Sequence, residues 1–253
     1  MSWSPQQIWA PGYREWRPPE QLRGALSWFW VSVVPPGDRP VVTNVLPDGC
    51  IDLIWQAGRG AFIAGPDTGP APVTDPPGTV YVGARFRPGA GGPALGLPLT
   101  ELRDQRVDLA DALPQLAARL PADLSRDHAL RMTARISAEL VAAGPPDPLV
   151  VHATGLLAAG STSVADLGRE LALSERQLRR RFDAAVGYGP KMMHRVIRFR
   201  RALDQLTSAP GTVDLAEVAA RTGFADQAHL TREMTALAGR PPGAVVHAAL
   251  AAR

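Results

Sequence analysis

Along the second half of the chain, apolar side chains recur every three or four residues, the spacing of helices that each bury one face. Over residues 163–182 (SVADLGRELALSERQLRRRF), Val164, Leu167 and Leu171 fall at i, i+3 and i+7 behind a candidate N-cap, Ser163. A fresh start signal follows. Ser174 precedes Gln177 by three positions, the reciprocal pair that satisfies two orphan backbone N–H groups at a helix start. Leu178 and Phe182, at i and i+4, are expected to point inward, which leaves Arg176, Arg179 and Arg180 off the apolar stripe. A second helix with outward arginines near its beginning is suited to entering the DNA major groove. The alternative is an ordinary solvated basic face.

The unit recurs. An offset of 52 pairs Ser174 with Asp226, Leu178 with Leu230, Arg180 with Arg232, Phe182 with Met234, Gly187 with Gly239 and Pro190 with Pro242. Upstream the offset becomes 51, so one residue is added in the second turn, near Gly223 and Phe224. Tandem helix-turn-helix units are a far more specific signal than one, because caps, stripe and outward arginine must each arise twice. Between them, residues 190–207 predict a helix with Met193, Val196, Ile197, Leu203 and Leu206 inside. Arg195, Arg198, Arg200 and Arg201 are left for solvent, phosphate or nearby carboxylates, solvent being the expected place for each. In the second unit Asp214 and Glu217 form a candidate capping pair and Gly223 suits the tight turn. Asp226 caps a helix with Leu230, Met234 and Leu237 inward and Gln227, Ala228, Thr231 and Arg232 outward. Gln227 matches adenine and Arg232 guanine or phosphate; the bland reading of both is surface polarity.

The first half alternates differently. Residues 41–42, 50–55 (CIDLIW), 61–64 and 79–86 (TVYVGARF) predict strands between Pro/Gly-rich turns, and the aromatic stretch 22–34 favours a strand over a helix. From residue 99 the period changes to helical, with Leu109, Leu113, Leu116 and Leu120 on one face and a further helix over 126–141. These helices either complete the first core, bridge the two halves or pair with a second chain. Residues 144–148 (GPPDP) are expected to be a non-helical linker. The fold class is therefore α+β. Its first domain spans 1–143, β-rich to about 98 and helical over 99–143, and an all-α domain spans 149–253, its first helix over 149–159 behind the first unit.

Charge sharpens this division. Residues 149–253 carry 14 Lys and Arg against 9 Asp and Glu, whereas residues 1–148 carry 13 against 15. The basic half is the half with the paired motifs, as a partner of polyanionic DNA requires. Only Lys191 among the 27 cationic residues is lysine, which suits bidentate recognition and equally suits a GC-rich genome. Cys50 is the single cysteine, leaving no disulfide framework and no multi-cysteine zinc site. The N-terminal MSWSPQQIWAPGYREW lacks the basic-then-apolar order of a signal peptide, and the early chain has no run suited to a membrane span, so a cytoplasmic protein is expected.

Residues 149–250, through LGRELALSERQLRRRFDAAVGYGPKMMHRVIRFRRAL and LAEVAARTGFADQAHLTREMTALAGRPPGAV, resemble the DNA-binding domain of the AraC family of transcription regulators. The resemblance implies two recognition helices laid into adjacent major-groove segments, with Arg176, Arg179, Arg180, Gln227, Ala228 and Arg232 as base-facing candidates. Met234 departs from the phenylalanine usual in the family, Glu233 stands in a commonly basic stretch, and Ala228 replaces a frequent polar reader. The second helix is thus expected to contribute mainly phosphate contacts, leaving Arg176 and Arg180 as the main readers. The first half, through LPDGCIDLIW (46–55), GARFRPGA (83–90) and TELRDQRVDL (100–109), resembles the N-terminal regions of poorly characterised AraC-type regulators. That implies a sensor or dimerisation domain; since a ligand pocket needs apolar walls and a few convergent polar groups, Asp48, Asp52, Trp55, Arg85 and Arg87 are the effector-binding candidates. Each has a structural alternative: a turn at Asp48, core packing for Trp55, an ion pair between Arg85 and Asp52.

Double-stranded DNA, a small-molecule effector, RNA polymerase and a second copy of the chain are the expected partners, with no membrane, cofactor or metal. The five histidines show no metal-binding spacing, and neither a P-loop nor a GxSxG elbow is present. The alternative function is an enzyme of unknown type using Cys50 and Asp52, with the second half as a DNA-targeting module.

Overall fold

A computed structural model describes residues 12–160, 162–208 and 214–251, with side chains to 247. The N-terminal stretch read for a leader lies largely outside these residues. Two strands open the first half, β1 (Arg14–Trp16) and β2 (Leu26–Val33), followed by β3 (Val41–Val45), β4 (Ile51–Gln56), β5 (Gly60–Ala64), β6 (Ala71–Asp75) and β7 (Val80–Phe86). After α1 (Gly91–Leu95) and a 3-10 turn at Leu99–Glu101 comes β8 (Arg106–Asp108), then α2 (Leu109–Ala112), α3 (Pro114–Ala117) and α4 (Arg126–Ala143).

Six strands form an antiparallel sheet in the order β1-β2-β7-β4-β5-β8, while β3 and β6 pair separately as a two-stranded ribbon. Side chains alternate across the sheet. Ile51, Leu53 and Trp55 of β4 join Phe29, Ile63, Val82, Ala84 and Phe86 in a core closed by Ala129, Ile136 and Leu140 of α4. The helices after residue 99 thus complete the first core. The stretch expected to be helical from 99 onward differs in one respect: Arg106–Asp108 is an edge strand, pairing Val107 with Ile63. Its alternation is too short to show against the leucine spacing that follows.

The second half is all helical: α5 (Pro148–Ala159), α6 (Val164–Glu170), α7 (Glu175–Val186), α8 (Pro190–Ser208), α9 (Leu215–Thr222), α10 (Gln227–Ala238) and α11 (Pro242–Ala251). Pro148, expected in the linker, is the first residue of α5, where its missing N–H costs nothing, and Asp147 caps the helix. Ser163 accepts from the Asp166 N–H, Ser174 and Gln177 form the full capping box, and Asp226 accepts from the His229 N–H. Val150, Ala153 and Leu157 of α5 pack with Leu167, Leu178, Phe182, Met193, Val196 and Ile197 in one core. Phe199, Ala202, Leu203 and Leu206 pack with Val218, Phe224, Leu230, Met234 and Leu237 in another.

The two helix-turn-helix turns reach the same backbone shape by different means. Gly223 sits at φ 80° and Ala172, its counterpart at the offset of 51, at φ 52°. The left-handed region crowds Cβ against the following carbonyl, so Ala172 is strained where Gly223 is not. Gly223→Ala is expected to lower stability by about 1–2 kcal/mol. The opposite change, Ala172→Gly, is expected to hold or raise stability. Urea midpoints at unchanged slope check both.

Candidate functional site

Helix α7 buries Leu178, Phe182, Ala185 and Val186 and leaves Arg176, Arg179 and Arg180 exposed. Arg179 lies 3.6 Å from Asp183 one turn on, a loose pair that leaves the guanidinium 75% exposed. On α10, Gln227, Ala228 and Arg232 are exposed, while Thr231 is half-buried and its hydroxyl donates to the Gln227 carbonyl. Glu233 turns away from that face: Arg195 of α8 grips it through Nε at 2.8 Å and Nη2 at 3.2 Å. The arginine pulls the Glu233 carboxyl below its ordinary range against the opposing effect of burial.

The arginines of α8 do not share the expected exposure. Arg198 lies over the Phe224 ring at 4.7 Å and donates to the Gly223 carbonyl, tying α8 to the second turn. Arg200 is 1% exposed. It stands four residues after Val196 and three before Leu203, inside the apolar stripe, where helical spacing already put it.

Arg200 reaches a cavity of about 190 Å³ on the sheet face opposite the α4 core, roofed by the β3–β6 ribbon. Val41, Val45 and Val73 of the ribbon, with Ile54 and Phe62 of the sheet, give it apolar walls. Charge gathers at one end. Asp52 accepts from Trp30 Nε1 at 2.7 Å and from Arg85 Nε at 3.2 Å, and Asp48 lies 3.5 Å from Arg85 Nη1. Burial works against the Arg85 charge, but Asp52 and then Asp48 outweigh it and hold the guanidinium firmly charged. Burial also pulls Arg200 down to about 10, partly offset by Asp48 and Asp204, so it too is a cation at neutral pH. Farther along the wall Arg106 clasps Asp67 at 2.9 and 2.7 Å, and Tyr81 donates to Asp75.

Of the effector candidates read from the sequence, Asp48, Asp52 and Arg85 line this cavity. Trp55 does not: three residues after Asp52 it falls on the other face, 1% exposed, with Nε1 donating to the Pro121 carbonyl. Arg87 follows the last residue of β7 and donates to the Arg23 carbonyl outside the cavity. Tyr13, Trp30, Arg106 and Arg200 were not singled out as cavity residues. Strand alternation from Asp52 would have found Ile54 and Gln56, but nothing local announces Arg200. Cys50 lines the cavity, where burial, and then Asp48, push its thiol up and keep it protonated, the reverse of the activation a nucleophile needs. Among the described residues no group of three or more His, Cys, Asp or Glu is placed to hold a metal ion, and no helix is long and apolar enough to cross a membrane.

Residues 167–248 match a family described as a helix-turn-helix domain, and residues 14–108 match a domain of unknown function, DUF6597. With two such units built on α8, the chain is a DNA-binding transcription regulator. Its helix-turn-helix domain is of the AraC type. No curated protein matches the chain. Among solved structures, ToxT from Vibrio cholerae O395 is 11% identical, covering 87% of this chain and 97% of that one at a TM-score of 0.45. Wild-type ToxT from Vibrio cholerae strain SCE256, bound to an unsaturated fatty acid, is 13% identical, covering 86% and 94% at 0.43.

The charged end of the cavity gives a direct test. Arg85→Met leaves Asp52 buried without its cation and is expected to cost about 3–5 kcal/mol at neutral pH. With Arg85 gone, burial raises the Asp52 carboxyl further, so the native state holds its proton more tightly than the unfolded chain. The loss therefore grows as pH rises above about 4 and shrinks below it. Urea unfolding at mildly acidic and neutral pH, with Arg85→Met/Asp52→Leu expected to recover part of the loss, checks it.

Proposed function

We propose that the chain lays α7 and α10 into two segments of the major groove of double-stranded DNA and reads sequence mainly through α7. The observation that carries this is the doubled unit with its free basic face: Arg176, Arg179 and Arg180 are exposed where the opposite side of α7 is consumed by a core. Arg176 and Arg180 are the main readers, able to offer bidentate donors to guanine O6 and N7. Gln227 and Arg232 supply the polar contacts of α10. Ala228 and Thr231 bring no free polar group beyond the backbone, which suits a helix that positions more than it reads.

In this reading residues 149–253 are the DNA-binding domain and residues 1–143 a sensor and dimerisation domain. The cavity takes a small effector with an apolar body and a polar end held near Asp48, Asp52 and Arg85. Support comes from Arg200: a ligand at the charged end meets a side chain of the same helix that carries both units. A homodimer joined through the first half and contact with RNA polymerase complete the proposal, and its work lies in the cytoplasm.

Selection of bound fragments from genomic DNA, with and without small metabolites from cell extract, tests both limbs. A shared sequence among the fragments supports DNA reading, and its absence defeats it; a change in affinity with metabolites supports the effector. On the selected sequence, Arg180→Ala is expected to cost about 1–3 kcal/mol of discrimination, read by competition between matched and mismatched duplexes. Equal weakening on all sequences, with a shallower salt dependence, would instead assign Arg180 to phosphate.

A further inference from the structure

The loop after the 3-10 turn at Leu99–Glu101 belongs to the first half, and the turn that precedes it packs against the exit of α7. Asp104 takes a left-handed φ of 57°, which no glycine relieves. Its carboxylate accepts from the Thr68 N–H at 2.6 Å and from the Thr68 hydroxyl at 2.8 Å, and its own N–H donates to the Pro66 carbonyl. A Cβ at Gly187, at the end of α7, would lie 2.8 Å from the Leu99 carbonyl oxygen and 2.6 Å from Pro66. The loop is thus pinned both to its own half and to the exit of α7. Aspartate tolerates this region when its short side chain bonds locally, and here those bonds fix the course of the loop.

What this loop presents is Arg103. It is exposed, and it lines a cleft of about 780 Å³ together with Arg169 of α6, Glu175, Arg179 and Asp183 of α7, and Lys191 of α8. Arg169 pairs with Asp166 and Arg179 loosely with Asp183. Among the described residues, neither Arg103 nor Lys191 is in an ion pair. The cleft also receives the first turn of α8, the positive end of that helix's dipole. A helix seated in a major groove about 12 Å wide has a phosphate strand on each rim. A cationic cleft running beside α7 is placed to meet one of them.

We propose that Arg103 is a DNA contact supplied by the first half, binding a backbone phosphate on the rim of the groove that α7 enters; this rests on the reading of α7 as a recognition helix. Asp104 and Thr68 are positioning residues that hold Arg103 in place. The contact adds affinity without sequence preference, since phosphate carries no base identity.

The test uses the full chain, a duplex from the genomic selection and a scrambled duplex of equal length, each titrated over a range of salt. Arg103→Ala is expected to weaken binding about threefold on both duplexes and to make the slope of log K against log salt shallower by about 0.9. Arg103→Lys is expected to restore most of the affinity, and Arg131→Ala, exposed on α4 away from the cleft, to change neither quantity. An Arg103→Ala variant that binds like the parent on both duplexes, with the parent slope, overturns the proposal while Arg180→Ala still loses discrimination. If Arg180→Ala also binds like the parent, the fault lies with the reading of α7. A loss confined to the selected duplex would assign Arg103 to a base and equally overturn the phosphate contact. Unchanged thermal unfolding of the variants shows that the loop, not the fold, is being measured.

Discussion

Because α8 gives Met193, Val196 and Ile197 to one core and Phe199, Ala202, Leu203 and Leu206 to the other, neither helix-turn-helix unit can turn relative to its twin without emptying a core. The 19 residues of this helix make a rod about 28 Å long. One turn of duplex is about 34 Å, so the rod and the repeat of the groove are of the same order. Arg195 to Glu233 and Arg198 to Gly223 tie the rod to the second unit from outside the core. The spacing of the two units is set by a single stiff element, and whatever acts on that element acts on both together.

The first half is arranged so that something does reach it. Strand alternation gives the sheet one dry face, closed by α4, and one face where Trp30, Ile54 and Phe62 share space with Asp52 and Arg85. Buried charge is tolerated there because it is paired: Arg85 between two carboxylates, Arg106 clasped by Asp67. Into this face comes Arg200 from α8. The ribbon that roofs the space leans on the second unit as well, with Leu46 packed against its core and Pro70 against Gly239. Cavity, roof and rod are therefore in mutual contact.

Much of the second half was legible because its signals are local. A capping box, an i, i+4 apolar pair and a glycine stop are each complete within a few residues, so Ser174, Gln177, Leu178, Phe182 and Gly187 could be read directly. Ala172 could not, since alanine gives no sign of a left-handed backbone. The longer strands of the sheet were visible in their alternation, whereas β1 and β8, of three residues each, offer too few positions to show a period, and Pro72 masks β6. At the cavity, Asp48, Asp52 and Arg85 are legible by residue type, and Trp55, an odd number of residues from Asp52 on the same strand, takes the core position that was its structural alternative. The burial of Arg200 was written in its helical spacing but contradicted by its charge; only the arrival of another part of the chain, far away in sequence, settles that conflict.

At two points the seam between the halves is made of main chain. A side-chain carbon at Gly92 would stand 2.4 Å from the Ala184 carbonyl oxygen, and one at Gly187 2.8 Å from that of Leu99. Cohesion here comes from the fit of two smooth surfaces that have no atoms to spare, with little chemistry to strengthen or screen it. Such a fit is intolerant of a single methyl, which would act as a wedge. A single substitution can thus part the two halves at one point while leaving the charges of each untouched.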